Sequence, residues 1–225
     1  MIVQITEKNR SATEQQTAGL LVCGLLFGPL FYIIVISQLF TRPGFDIRRH
    51  PLSLLSLGEG GWVQTANFYV TGILALLFAL GIWRALRSSR GALIGPIFIA
   101  LYAIGMIMAG LFPADPAFGF PPGTPDGILP EMSQHAAMHG MGFFVAFTAL
   151  TIACFVFAWR FFRRGERGWG VYSLVTGIVT PLTVAMGMVF TGGTSLFFFF
   201  VGIVAFGWAA LLAGKLRCEF IHAEG

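Results

Sequence analysis

The amino-acid sequence predicts an all-α fold, a polytopic membrane protein built as a bundle of six transmembrane helices. Hydrophobic residues make up 56% and charged residues 11% of the 225 residues, and the mean hydropathy is +0.79. Soluble domains carry about 25% charged residues, so a soluble core could not hide this much apolar surface. The apolar residues come instead in runs of about 20, the length at which a helix crosses a bilayer. These runs must be helical because the hydrocarbon holds no water to satisfy free backbone groups.

Six apolar runs define the predicted spans, which together form one transmembrane domain over residues 1–225. The predicted spans are, in order, 17–40, 63–86, 91–112, 134–159, 169–190 and 194–214. The third is the shortest, and Gly95-Pro96 lies near its start. The first sixteen residues are polar and mixed in charge and contain no short apolar stretch that ends in a cleavage site. We therefore expect the first span to stay in the membrane as an uncleaved anchor.

The placement of basic residues predicts the orientation. Eleven of the fourteen Lys and Arg residues lie near the two termini or in the connections after the second and fourth spans, all on one side of the membrane. Only Arg42, Arg48 and Arg49 fall on the other side. The positive-inside rule then predicts cytoplasmic termini in a multi-pass protein of the inner (cytoplasmic) membrane. The connections 41–62 and 113–133 and the tight turn 191–193 would face outward. The net charge of +4 thus predicts membrane lipids, and no nucleic acid, as partners.

One outward connection gathers acids, histidines and rigid turns. It contains Asp115, a proline-rich segment at 116–125, and then His135 and His139 four residues apart. That spacing places the two histidines on one side of a helix and suits two imidazoles on one metal ion. A zinc ion would need a third ligand, for which Asp115 or His50 is the candidate. The pattern lacks the Glu of His-Glu-x-x-His, which would serve as general base.

Two other interpretations of the same residues stay open. In the first, His135 and His139 donate hydrogen bonds to carbonyls of the proline-rich loop. In the second, one histidine titrates near pH ~6.5 beside Asp115 as a proton relay or sensor. Under all readings that give these residues a function, Asp115, His135, His139 and His50 should converge within about 10 Å, with the proline-rich segment folded over them as a lid.

Two segments resemble the DUF998 family of bacterial membrane proteins. Residues 49–68, RHPLSLLSLGEGGWVQTANF, resemble the first outer loop of that family. The segments FPADP at 112–116 and PPGTP at 121–125, followed by His135 and His139, are similar to its second signature. The resemblance covers nearly the whole chain, from the first span to the fifth. It implies a bundle of helices in a bacterial cytoplasmic membrane and suggests that the two outer loops belong together, but the family is named for having no established function.

Two classes of function follow from these observations. In the first, a membrane-embedded enzyme acts on a lipid or isoprenoid-like hydrophobic substrate at the outer leaflet, with Asp115, His135 and His139 as catalytic residues, with or without metal. In the second, a non-enzymatic binding, transport or assembly protein uses its outer loops as a rigid cap. No span carries an acid or base near its midpoint, where coupling ions usually bind, and no nucleophile–base pair is evident. The sequence therefore favours an outward-facing polar site formed by loops 41–62 and 113–133 and the start of the fourth helix.

Overall fold

The computed structural model describes residues 2–87, 93–189 and 194–224. These residues form six long α-helices and one short 3-10 helix, Leu52–Ser56, between the first two of them. The long helices are α1 (Ile2–Thr41), α2 (Gly61–Leu86), α3 (Ile94–Leu111), α4 (Gln134–Arg163), α5 (Arg167–Val189) and α6 (Thr194–Glu224). Each contains a segment long and apolar enough to cross a membrane. The predicted all-α fold with six membrane-spanning helices is therefore confirmed.

The helices extend beyond several of the predicted spans. Helix α1 begins at Ile2 rather than at 17, and α4 and α6 continue past 159 and 214 to Arg163 and Glu224. A helix satisfies its own backbone groups, so it can continue past the hydrocarbon edge into the polar interface, whereas the prediction followed hydrophobicity alone. The predicted start of the third span at 91, the predicted end of the fifth at 190 and the turn at 191–193 lie outside the described residues.

The six helices pack as a closed ring in chain order. Each helix contacts the next one along the chain, and α6 returns to contact α1. Aromatic side chains from three helices meet at the centre, where the ring of Phe27 lies 5.7 Å from those of both Tyr102 and Phe206. Glycines allow the close approach of α3 and α4, because a Cβ on Gly105 would lie 2.5 Å from the carbonyl oxygen of Gly142. Such close contact between small residues is the main attraction between helices in lipid.

Charged side chains tie three helices together at the end of the ring remote from loops 42–60 and 112–133. Lys215 of α6 lies 2.7 Å from Glu166, which precedes α5, and 2.8 Å from Glu219 of its own helix. Arg164, which follows α4, contacts the same two carboxylates at 2.8 and 3.3 Å. The shared carboxylates form a network rather than isolated pairs, which is the arrangement in which surface charges contribute most.

Candidate functional site

The two connections at the other end of the ring interlock. We call residues 42–60 and 112–133 together the loop cap. Phe120 of the second loop is 1% exposed, and its ring lies 5.3 Å from the rings of both Phe45 and His50 in the first loop. The guanidinium of Arg42 lies over the same ring at 5.6 Å. The first loop thus forms a socket for one aromatic side chain of the second, and the structure brings together the two loops that the family resemblance associates.

His50 holds the loop cap with both of its ring nitrogens. The backbone N–H of Asp46 donates to Nδ1 at 2.8 Å, and Nε2 lies 3.1 Å from the carbonyl oxygen of Phe118 in the second loop. A carbonyl can only accept, so Nε2 carries the proton and donates. His50 is 3% exposed and has no ring nitrogen left for a metal ion or a substrate.

Arginine side chains add further links within the loop cap. The two terminal nitrogens of Arg42 donate to the carbonyl oxygens of Leu55, at 3.0 Å, and Leu57. Burial lowers the pKa of Arg42 from its ordinary value, but such a guanidinium stays charged near neutral pH. Arg49 bridges the two loops through an exposed ion pair with Asp126 at 2.6 Å. Arg42 therefore shapes the first loop. The sequence pattern had indicated only which side of the membrane Arg42 lies on.

Asp115 supports the start of helix α4. Its carboxylate accepts a hydrogen bond from the backbone N–H of Ser133 at 2.8 Å, and the Ser133 side chain in turn accepts from the N–H of Ala136. Ser133 is thus the N-cap of α4, and an anion beside a helix N-terminus is stabilising. The hydrogen bonds from Ser133 lower the pKa of Asp115, and nearby His135 adds to this effect.

The two histidines of α4 lie in different environments. His135 is exposed, and its ring lies 6.0 Å from that of Phe112. His139, one turn later, is 9% exposed and points its Nδ1 at the carbonyl oxygens of Phe112 and Ala109, at 2.8 and 3.2 Å. Ala109 lies in the last turn of α3 and Phe112 directly follows the helix, where carbonyl acceptors are left unpaired. His139 thus bonds to the end of α3, next to the proline-rich segment 116–125 but not within it.

A cavity of about 280 Å³ lies beside His139 at the loop-cap end of the ring. All six long helices and the start of the 3-10 helix contribute to its wall, which is mainly aromatic and aliphatic. The wall, as far as the described residues form it, contains no Lys, Arg, Asp or Glu. It consists of Phe31, Tyr32, Pro51, Leu52, Ser53, Phe68, Gly105, Met106, Ala109, His139, Gly140, Phe143, Ala146, Phe147, Met188, Phe198, Gly202 and Phe206.

The four residues that the sequence placed in one site have different partners in the structure. Asp115 and His135 are close enough to interact electrostatically, His139 turns inward to the cavity wall, and His50 lies inside the loop cap. Over the described ranges, no group of three or more His, Cys, Asp and Glu side chains is arranged to hold a metal ion. Backbone groups also occupy both ring nitrogens of His50 and Nδ1 of His139.

Buried amides between α1 and α2 were not among the predicted site residues. Gln38 donates to Gln64 at 2.8 Å, and Asn67 donates to the Phe31 carbonyl of α1 at 3.1 Å. All three amides are at most 2% exposed, and one polar atom of each has no partner among the described residues. A sequence signal existed, because Gln64, Asn67 and Thr71 follow the spacing of one helix face.

The ring of membrane-spanning helices, the loop cap and the cavity define a multi-pass α-helical membrane protein with an apolar internal site. The family model of DUF998, described as "Protein of unknown function", matches residues 17–215. The chain therefore belongs to the DUF998 family, as the two loop segments indicated. No curated protein and no solved structure matches it.

Proposed function

We propose that the protein binds a small lipid or isoprenoid-like molecule in the cavity beside His139. The observation that carries this proposal is the cavity itself, about 280 Å³ of space inside the ring. Small-molecule pockets are mostly apolar with a few placed polar groups, and they measure roughly 300–1,000 Å³. A cavity near the lower end of that range suits a short hydrocarbon chain better than a complete phospholipid.

The position of the cavity supports entry from the bilayer. Gly140 and Met188 both line it. Both residues are also exposed on the outside of the helix ring, and 69% of the Met188 surface is accessible. Exposed positions on a membrane-spanning helix are in contact with lipid. An apolar molecule dissolved in the bilayer can therefore reach the cavity sideways, without passing through water.

We therefore favour the non-enzymatic class of function, a binding protein, over the membrane-embedded enzyme. The catalytic class needs Asp115, His135 and His139 to act on one substrate. Asp115 instead accepts from the N-cap of α4, His135 is exposed, and only His139 lines the cavity. The loop cap then has the role of a rigid cover over a binding site.

Photolabelling tests the proposal. The probe is geraniol, a short isoprenoid alcohol, with a diazirine at its hydrocarbon end, applied to the protein in lipid nanodiscs. We expect labelled peptides from the cavity walls of α4 and α6, around residues 139–147 and 198–206. Gly140→Leu should reduce that labelling at least fivefold. Gly140 lines the cavity, and a Cβ there would meet no atom within 4 Å, so a larger side chain can be placed at the cavity wall without a clash.

Gly207→Leu is the matched control. Gly207 also lies within a long helix, its added Cβ would also meet nothing within 4 Å, and it does not line the cavity. The control should label like the native protein. Labels spread evenly over the lipid-facing surface, or labelling that Gly140→Leu leaves unchanged, would contradict the proposed binding function.

We also propose that both termini face the cytoplasm and the loop cap faces outward, in a cytoplasmic membrane. The basic residues at the far end of the ring support this orientation through the positive-inside rule. Ile128→Cys, at a loop-cap position that is 76% exposed, should react with a membrane-impermeant maleimide in intact cells. Gly168→Cys, at an exposed position of the other end, should react only after lysis, in a background where Cys218 is replaced by Ser. The opposite pattern of labelling would reverse the orientation.

A further inference from the structure

We infer that the cavity selects uncharged lipid or isoprenoid alcohols, whose hydroxyl donates a hydrogen bond to Nε2 of His139. This inference rests on the proposed binding function and names the chemical class of its ligand. Two observations support it. Nδ1 of the same ring is hydrogen-bonded to backbone carbonyls, and the described cavity wall contains no charged residue.

The carbonyls at the end of α3 set the tautomer of His139. Nδ1 lies 2.8 Å from the oxygen of Phe112 and 3.2 Å from that of Ala109. Both oxygens can only accept, so Nδ1 carries the proton. In a neutral imidazole the other nitrogen, Nε2, is then an acceptor. It makes no hydrogen bond with the described residues, so the ring presents a lone pair that a donor group can meet.

The cavity wall offers nothing to stabilise charge. None of its described residues is Lys, Arg, Asp or Glu, so an imidazolium there would lack a carboxylate partner and the neutral ring is favoured. A phosphate or carboxylate head group would likewise be buried without a cation, which is costly. It would also face the lone pair of Nε2 rather than a donor. A hydroxyl avoids both penalties, because it is neutral and can donate.

The remaining polar groups of the wall fit an alcohol as well. Tyr32 donates its hydroxyl proton to the carbonyl oxygen of Phe199 at 2.6 Å, so it does not compete as a donor to His139. Ser53 lines the same cavity, and its hydroxyl can serve as a donor or an acceptor. The rest of the wall is apolar and suits a hydrocarbon chain.

Competition against the photoactivatable geraniol probe tests this inference. The competitors are geraniol, geranyl methyl ether, which has the same chain without a donor, and geranyl phosphate, which adds charge. We expect geraniol to compete at least tenfold more strongly than the ether or the phosphate. A site built to hydrogen-bond a hydroxyl discriminates against analogues that lack it.

His139→Asn separates recognition from packing. The Asn side-chain amide nitrogen occupies roughly the position of Nδ1, so it can still donate to the α3 carbonyls, but nothing replaces Nε2. We expect this variant to bind geraniol as weakly as the ether, with unchanged affinity for the ether and a thermal stability close to native. His135→Asn, one turn away at an exposed position, should keep the full preference.

The outcomes of these experiments distinguish the selectivity for alcohols from the binding function itself. Equal competition by alcohol and ether, stronger competition by the phosphate, or a native preference in His139→Asn would overturn the inference. If Gly140→Leu still blocks labelling in those cases, the binding function stands and only the ligand class is wrong. If no competitor displaces the probe and Gly140→Leu has no effect, the proposed function fails together with the inference.

Discussion

His50 in the loop cap and His139 beside the cavity are both buried, at 3% and 9% exposure, yet they use their rings in opposite ways. His50 accepts at Nδ1 and donates from Nε2, and both partners are backbone groups. His139 donates from Nδ1 to the end of α3 and has an Nε2 without a partner among the described residues. The two rings are therefore opposite tautomers in two differently built regions.

This difference separates a structural role from a binding role. A buried histidine with both nitrogens on the backbone stabilises its surroundings and has no capacity for a ligand. A histidine with one nitrogen fixed and the other beside a cavity is held rigidly while it keeps an acceptor available. We therefore expect substitutions in the loop cap to change stability, and substitutions at the cavity to change binding.

The largest effect on stability should come from His50→Ala. The change leaves the N–H of Asp46 and the carbonyl of Phe118 without partners, and it removes the ring from its contacts with Phe45 and Phe120. At about 1–3 kcal/mol for each unsatisfied group, with some recovery from water, the free energy of unfolding should fall by about 2–3 kcal/mol. Denaturant titration in mixed micelles measures this. His135→Ala is the control and should stay within about 0.5 kcal/mol of native; equal losses in both variants would contradict the clamp role of His50.

Arg42→Met should have the next largest effect. It keeps a long apolar stem but removes the hydrogen bonds to the Leu55 and Leu57 carbonyls and the contact with the ring of Phe120. Because the side chain is only partly buried, we expect a loss of about 1–2 kcal/mol in unfolding free energy. Arg48→Met, at an exposed position of the same loop, should be nearly neutral. Geraniol labelling of the cavity should persist in Arg42→Met, and its disappearance would show that the two regions are not separable.

The amides between α1 and α2 should show a non-additive effect. Gln64→Leu alone removes one of the two acceptors of both Gln38 and Asn67 and should lower the unfolding free energy by about 1 kcal/mol. Gln38→Leu combined with Gln64→Leu should cost less than the sum of the two single variants, because it leaves fewer buried groups without partners. A double-mutant cycle in the same micelles measures the coupling. Strict additivity would mean that the 2.8 Å contact between the two side chains contributes nothing.

The smallest effect is expected from Asp115→Asn. The folded protein lowers the pKa of Asp115 through hydrogen bonds from Ser133, so the carboxylate stabilises the fold above its unfolded pKa of about 3.9. That contribution is lost as the pH falls through the lowered pKa. Native protein should be slightly more stable than Asp115→Asn at pH ~7, and the difference should vanish near pH ~2, well below the reference value for Asp. Thermal melts at the two pH values test this, and a difference that grows in acid would contradict it.

The fold was predictable from the sequence, whereas the site was predictable only in part. Apolar runs of about 20 residues specify helices in a bilayer, because a helix of that length crosses the hydrocarbon and satisfies its backbone groups within one segment. The surroundings of the individual site residues could not be predicted in the same way. His135 and His139 share one side of α4, but His135 lies in the first turn of the helix and is exposed, whereas His139 lies one turn deeper and is buried. The contact between His139 and the carbonyls at the end of α3 joins residues 27 and 30 positions apart, and no local pattern marks it.

Long-range contacts explain the remaining differences. Arg42 and Phe120 are far apart in the chain and meet only because the two loops interlock, and no local pattern marks such a pair. The cavity is likewise a property of all six helices together, and no segment contains it. The buried amides Gln64 and Asn67 could have been noticed, because polar residues on one face of a membrane helix are costly to expose to lipid.

The opposite roles of the two buried histidines are tested most directly by their protonation states, read from nitrogen-15 NMR spectra of imidazole-labelled protein in nanodiscs. Substitution of each histidine in turn assigns the signals. We expect His139 to be protonated at Nδ1 and His50 at Nε2, and added geraniol to shift only the Nε2 signal of His139. A proton on Nε2 of His139 in the ligand-free protein, or a geraniol response at His50 and none at His139, would contradict these roles.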